Sequence, residues 1–359
     1  MATLLPEKHI AVATPAPRAP LVLLEVSTIP PIDGEITVHV QWAASTPLHL
    51  HQADGGLLVK HPYIMGGDFA GTVVAVGPPS RNQSASEEIE VGDAVFGFAF
   101  AEPRQESHQT YITVPLYLLG KIPPNLSMQE AVTVPANLVT AFHTITHDLG
   151  LPLPWPIPET WAPPESVRNA AVVIWGAGSS VGSYSVQVLR HWGYRNIVAV
   201  ASTSHHPRLR ELGAAECFDY RHDNVVQRLK RHVSETQGLH VPFIIDCIGS
   251  LEGTLRPLTG LAEQGTRIAV MLPVIMKHAS KTDEPIYEMD VTKCLPTEWK
   301  DGVELRGTRT HFYSDVSLVS THKIDIMVGT NPLEERVLQI SSSTRDHTKV
   351  TCRRRDPTK

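Results

Sequence analysis

The segment Val172-Val173-Ile174-Trp175-Gly176-Ala177-Gly178-Ser179-Ser180-Val181-Gly182 joins an apolar run to a glycine turn and the first turn of a helix. The chemistry this spacing serves is the binding of a pyrophosphate. Gly176 and Gly178 let the backbone turn tightly and approach an anion, Ser179, Ser180 and Val181 bring the unpaired N–H groups of a helix start, and Gly182 lets that helix lie close to its strand. A Gly-x-Gly pattern alone also marks ordinary strand-helix turns. Here a buried strand precedes it, a helical run Val181–His191 follows, and a second strand ends about 25 residues on, which is the context of a dinucleotide site.

The end of that second strand distinguishes the two nicotinamide cofactors, because NAD sites place an acid there for the ribose hydroxyls and NADP sites accommodate a phosphate. It reads Val200-Ala201-Ser202-Thr203-Ser204-His205-His206-Pro207-Arg208. Hydroxyls, histidines and an arginine replace the acid, so Ser202, Thr203, His205 and Arg208 are candidate contacts to NADPH, with a solvated helix start as the other reading of His205. Tyr220, Ile248 and Leu272 follow the third, fourth and fifth apolar runs, where parallel sheets bind ligands. Cys247 is better read as a small buried core cysteine. The four cysteines form no Cys-x-x-Cys pair, and the 18 histidines sit mostly singly, so no zinc knuckle or disulfide framework is indicated.

Two kinds of element must hold these residues. From Glu35 to about Val114, short β-branched runs cut by Gly and Pro (Ile36–Val40, Gly71–Gly77, Asp93–Gly97) read as a small antiparallel β-domain, with Ser80–Glu90 a polar surface loop. Prolines crowd Leu151–Pro164, too densely for a regular helix or central strand, and predict an exposed excursion. After Asn169 strands and helices alternate, which predicts a parallel sheet with helices on both faces. Strands are expected at Ala171–Trp175, Ile197–Ala201, Glu216–Phe218, Phe243–Cys247 and Arg267–Leu272. Helices are expected at about Val181–His191, His206–Leu212, Asn224–Thr236 and Leu251–Leu261.

A chain of 359 residues suits two domains sharing a cleft, and its net charge of −6 gives no general attraction to nucleic acid. No run of about 20 apolar residues suits a bilayer, and Leu21–Leu24 lacks the flanks of a secretion signal, so a cytoplasmic protein is expected.

Several stretches together carry a family resemblance: Met65-Gly66-Gly67-Asp68-Phe69-Ala70-Gly71-Thr72-Val73, Val91–Gly97, Gly178–Gly182, Glu211-Leu212-Gly213-Ala214 and Phe218-Asp219-Tyr220. The chain resembles zinc-free medium-chain dehydrogenases/reductases, similar to quinone oxidoreductases and to the stand-alone enoyl reductases of fungal polyketide pathways. The resemblance implies an α/β chain in three parts. These are a GroES-like catalytic domain over 1–138, a Rossmann doubly wound parallel-sheet domain over 139–295, and a return to the catalytic domain over 296–359. It also implies NADPH between the domains, with hydride transfer to a conjugated carbonyl compound: an enoyl thioester, enone or quinone, carrier-bound thioesters included. It points to Thr140 near the nicotinamide and to His51 where relatives carry a lysine, and Tyr63, on a cleft-side loop, is a third donor. Thr140 has the alternative of capping the helix that follows, and Tyr63 of packing under its loop. A monomer or homodimer is expected.

Zinc-dependent relatives show Gly-His-Glu where this chain has Gly66-Gly67-Asp68, and a cysteine near Ala136, so no metal is expected. His49 and His51 alone leave a zinc site short of its third protein ligand. The ending, Ser341–His347 and then Arg353-Arg354-Arg355, lacks the family's closing strand, and so polar and basic a tail cannot bury enough surface to order itself. An altered or mis-spliced end is the expectation, and it keeps open a nucleotide-binding paralogue impaired in catalysis. A zinc-type alcohol dehydrogenase is the other alternative.

Overall fold

The computed structural model describes residues 5–78, 89–236 and 241–312. Most of the Ser80–Glu90 loop and the whole tail with Cys352 and Arg353–Arg355 lie outside the described residues.

The N-terminal half is antiparallel. Strands β1 (Lys8–Thr14), β2 (Val22–Ser27), β3 (Glu35–Ala43), β4 (Tyr63–Ile64), β5 (Asp68–Val76), β6 (Ala94–Phe98), β7 (Tyr111–Pro115) and β8 (Leu119–Lys121) form sheets of order β2-β1-β4 and β7-β3-β5-β6-β8. Alternating side chains of Ile36, Val38, Phe69, Val73, Val95, Ile112 and Val114 close one core between the strands. Helix α1 (Pro47–Gly55) leaves β3 with Pro47 in its first turn, where a missing N–H costs nothing. Short α2 (Met128–Ala131) starts on a reciprocal Ser127/Glu130 cap. Helix α3 (Pro135–His143) then crosses to the second half and packs on α5, so Ala70 and Phe96 share one apolar cluster with Ile174, Tyr184 and Val186.

After α4 (Glu165–Arg168) the alternation appears as expected: β9 (Val172–Trp175), α5 (Ser180–His191), β10 (Ile197–Val200), α6 (His206–Leu212), β11 (Glu216–Phe218), α7 (Val225–Thr236), β12 (Phe243–Asp246), α8 (Arg256–Leu261) and β13 (Arg267–Met271). A hairpin, β14 (Val274–Lys277) with β15 (Ile286–Glu288), precedes β16 (Glu304–Thr308). The six-stranded sheet has the order β11-β10-β9-β12-β13-β16, all parallel, so the strand order reverses between β9 and β12. Its sixth strand lies beyond residue 295, and the sheet therefore runs on to Thr308. Ligands of such sheets bind outside the strand ends at that reversal.

The proline-rich stretch is exposed over most of 156–164, as its composition predicts, but not over its first five residues. Leu151, Leu153 and Trp155 are buried in the shared core. Tyr194 Oη donates to Pro152 O (3.1 Å), and Trp192 Nε1 to Pro154 O (3.0 Å). Alternating Leu-Pro-Leu-Pro-Trp-Pro keeps the backbone extended, so every second, apolar side chain meets the core while the proline carbonyls accept from buried aromatic donors.

Candidate functional site

The glycine turn sits at the reversal point. Gly176 has φ of 80°, in the left-handed region that favours glycine, and a Cβ there would lie 2.7 Å from the Ile248 side chain. Ile248 thus closes the turn from the end of β12, where Asp246 accepts from the Ile248 and Gly249 N–H groups (3.0 and 3.2 Å). A Cβ on Gly182 would stand 2.5 Å from Gly176 O and 2.6 Å from Ala177 Cα, both backbone, so only glycine lets α5 lie this close to β9. Ser179 caps α5 by accepting from Gly182 N–H (3.1 Å). The N–H groups of Gly178, Ser180 and Val181 make no hydrogen bond among the described residues, and together they offer an anion cradle at the head of a 12-residue helix. The His205 ring lies across Gly178, whose Cβ would come within 2.8 Å of it. Cys247, its thiol pushed up by burial, takes part in a hydrogen bond with Ser179 and packs against the core. Leu272 packs beside Gly307.

Around Thr203 the structure supplies what the local sequence does not. An acid does stand here, Asp219, but it comes from the end of β11. Asp219 Oδ2 accepts from Thr203 N–H (3.1 Å), Thr203 Oγ1 (2.9 Å) and Arg221 Nη2 (2.6 Å), and Oδ1 from Arg221 N–H and Nε (both 2.9 Å). The Arg221 contacts, first, hold its carboxyl well below the usual range. Five donors fill the roughly four lone-pair sites of a carboxylate. Arg221 Nη2 also reaches Thr203 Oγ1 (3.1 Å), and the guanidinium lies 5.8 Å from the Tyr220 ring centroid. Arg208 is engaged elsewhere, donating to Glu211 Oε2 at 2.9 Å.

Polar groups of the N-terminal half gather at α1 and β4, with Tyr287 of β15 reaching them from the second half. His51 Nδ1 and Tyr287 Oη share a hydrogen bond of 2.9 Å, joining α1 to β15. Burial lowers the His51 pKa, with His278 adding to it and Asp54 opposing, so the ring is neutral at pH 7. Tyr63 Oη donates to Glu106 Oε1 at 2.6 Å. Burial raises Glu106 to about 8, and it raises Tyr63 too, helped by the Glu106 charge. Glu106 Oε2 and Gln52 Oε1 are buried without a partner. Thr140 lies inside α3 rather than capping a later helix, and its hydroxyl donates to Ala136 O (2.6 Å). It makes no hydrogen bond to His51 or Tyr63 among the described residues.

The positions that hold zinc ligands in zinc-dependent relatives are apolar. Phe98, Ala136 and Val139 form a cluster with Phe100, and a Cβ on Gly67 would stand 3.0 Å from Phe98 Cε2. His49 is occupied, its Nδ1 accepting from Thr46 N–H at 3.1 Å. Burial first, then His108, lowers His49 to about 4, and burial lowers His311, which packs on Phe98 and Phe100, to about 4. Asp68, raised to about 7 by burial, accepts from Ala136 N–H (2.8 Å) and so fixes the start of α3 beside Gly67. Asp219, Arg221, Glu106, Tyr287 and His311 escaped the sequence reading. Only Asp219 had a signal, its place next to Tyr220 in the matched Phe-Asp-Tyr.

Known proteins resemble this chain in sequence and in fold. Residues 32–144 match the alcohol dehydrogenase GroES-like domain, and residues 180–287 match the zinc-binding dehydrogenase family. The trans-enoyl reductase tndF of Aspergillus flavipes is 30% identical over 260 residues, 72% of this chain and 71% of that protein. The trans-enoyl reductase tazE of Aspergillus terreus is 29% identical over 264 residues, 72% of this chain and 82% of that protein. Several other relatives are matched over about 60% of their own length. Among solved structures, mycobacterial Rv1454c complexed with NADPH superposes with a TM-score of 0.61 at 19% identity, covering 94% of this chain and 89% of that one.

Proposed function

Because the chain belongs to the medium-chain dehydrogenase/reductase family and is like its fungal enoyl reductases, we propose that it is an NADPH-dependent reductase of conjugated carbonyl compounds, acting without catalytic zinc. The observation that carries this reading is the glycine turn. Unpaired N–H groups of Gly178, Ser180 and Val181 converge at the head of α5, at the one point of the parallel sheet where the strand order reverses.

The residues fit a nicotinamide dinucleotide. The turn would hold the pyrophosphate, with Ser179, Gly182 and Gly176 setting its shape and Ile248 covering it. Ser202, Thr203, His205 and Tyr220 would line the adenosine end. NADPH is favoured over NADH because Asp219 has no acceptor site left for a ribose hydroxyl, while it braces Arg221 beside Thr203, where a 2′-phosphate would meet it. Arg208, paired with Glu211, is the weaker candidate.

When bound, the nicotinamide supplies a hydride for the β-carbon of the substrate. The chain's own residues orient the partners, exclude water and hold protons. Phe98, Phe100 and His311 make an apolar wall at the catalytic side. Tyr63 holds its proton on Oη toward Glu106, and Glu106, raised to about 8, keeps its own at neutral pH. His51 is a mostly neutral imidazole hydrogen-bonded to Tyr287, so it would pass its Nε2 proton to the substrate α-carbon while Nδ1 takes the proton of the Tyr287 hydroxyl, which solvent restores. Thr140, its hydrogen turned to Ala136 O, shapes the wall and serves as a donor only by rotating. Substrates include small enones, quinones and carrier-bound enoyl thioesters. No helix among the described residues is long and apolar enough to cross a membrane.

The test is NADPH oxidation by the full chain against quinones, enones and enoyl thioesters, beside calorimetric titration with NADPH and NADH. Turnover with any of the three and tighter binding of NADPH support the reading. Tight NADPH binding without turnover points instead to a nucleotide-binding paralogue, and activity that vanishes on chelation and returns with zinc points to a zinc-type enzyme.

A further inference from the structure

The chain after α3 continues for five residues, Thr144–Asp148, as a π-helical turn. A turn closed by i→i+5 bonds holds about 4.4 residues, so positions i, i+4 and i+5 share one face, whereas a regular α-helix would turn the last of them away. Positions i, i+4 and i+5 counted from His143 are His143, His147 and Asp148. The two imidazoles stack with centroids 4.9 Å apart and planes inclined by 22°. One donor atom from each of the three side chains lies within 4.8 Å of the other two.

We propose that His143, His147 and Asp148 form a divalent-metal site of the zinc class, joining the end of α3 to the edge strand β16. Asp148 is buried, and its Oδ2 accepts from Thr308 Oγ1 at 2.7 Å, so a residue 160 positions away fixes the carboxylate. Oriented ligand carboxylates of this kind are the rule around bound metals. The imidazole nitrogens of His143 and His147 make no hydrogen bond among the described residues, which leaves them free to coordinate. Two imidazoles and one carboxylate suit zinc, cobalt and nickel, with solvent completing a tetrahedron through the exposed His147 side. None of the three stands at Gly67 or Ala136, so this site is separate from the zinc position of the family's metal-dependent members. Its expected effect is structural, since α3 carries Thr140 at the cleft and β16 leads directly to His311 on the apolar wall.

The experiment uses the untagged full chain, stripped of metal and titrated with Co²⁺ by absorption and with Zn²⁺ by calorimetry, followed by thermal melts. The wild type should bind one Co²⁺ per chain with visible d–d bands that Zn²⁺ abolishes, and Zn²⁺ should raise its Tm. His147→Ala, at an exposed position that leaves the packing intact, should weaken binding at least tenfold and lose the Tm shift while still binding NADPH. Thr308→Val should weaken it about 10- to 100-fold by freeing the carboxylate. Absence of saturable 1:1 binding in the wild type overturns the proposal. So does wild-type affinity in His147→Ala, which would place the cation on other histidines.

Discussion

Replacing Arg221 by alanine should change which cofactor the protein prefers. Its guanidinium spends Nε and Nη2 on Asp219 and Thr203, and Nη1 makes no hydrogen bond among the described residues. One or two charge-assisted contacts are therefore available to a 2′-phosphate. Because the side chain is 57% exposed, each is discounted for solvent screening to about a three- to tenfold gain. For Arg221→Ala one such contact predicts a loss of about 3- to 10-fold in NADPH affinity, and two predict about 10- to 100-fold. The variant also strips two donors from Asp219, Nε and Nη2, while the backbone N–H at 221 stays, so its carboxylate regains room for ribose hydroxyls and repels a phosphate. NADH affinity should hold or improve. Arg208→Ala should change NADPH affinity less than twofold, since that guanidinium is taken by Glu211. Calorimetric titration of both variants with both cofactors, at low and high salt, separates the cases, and the NADPH advantage should shrink as salt rises. An equal loss for NADPH and NADH in Arg221→Ala would show that the arginine only braces the Asp219 turn. A loss confined to Arg208→Ala would refute the reasoning outright.

Four further outcomes follow from the same geometry. Gly182→Val must push α5 off β9, because the backbone atoms it meets cannot yield, and thermal or urea unfolding should show a loss of about 1–3 kcal/mol together with lost NADPH binding. Gly178→Ala meets only the His205 ring, which can rotate, so it should weaken cofactor binding and leave the Tm unchanged; a fall in Tm as large as that of Gly182→Val would contradict this. Glu106 has a folded pKa near 8 against an ordinary 4.5, so its contribution to stability is complete below about 4.5 and is lost as pH rises toward 8. Urea unfolding at pH 5, 7 and 9 should show that decline, and Glu106→Gln should flatten it. Burial lowers the His51 pKa below its ordinary value, so the ring is mostly neutral at pH 7 and kcat should not fall as pH rises toward 7; such a fall, absent in His51→Gln, would make the imidazolium the donor after all. His51→Gln itself should cost about 100-fold or more in kcat if the ring gives the proton.

Much of the scaffold is written locally. The run Val172–Trp175, the glycines at 176, 178 and 182 and the serine cap announce a strand, a turn and a helix within eleven residues, because apolar periodicity and backbone freedom are properties of neighbours in the chain. The parallel strands and their helices fall where that alternation predicts, within a residue or so at each end, except that Leu251–Leu255 is a π-helical turn and α8 proper starts at Arg256. The first five residues of Leu151–Pro164 misled for the same reason: proline content reports which regular elements are forbidden, not whether an extended chain lies on a core.

The chemistry of the site depends on pairs that local pattern cannot reveal. Asp219 reaches Thr203 across 16 residues, Glu106 meets Tyr63 across 43, Thr308 meets Asp148 across 160 and Tyr287 meets His51 across 236. Each contact is set by strand order and by the path of a loop, and burial then fixes which protonation state the pair adopts. Local pattern alone announces a glycine turn between a strand and a helix, and the elements that carry it. That Arg221 and not Arg208 lies on Asp219 and Thr203, and that the His51 pKa is lowered, come from the tertiary structure, because both depend on partners brought from distant segments and on the water they displace.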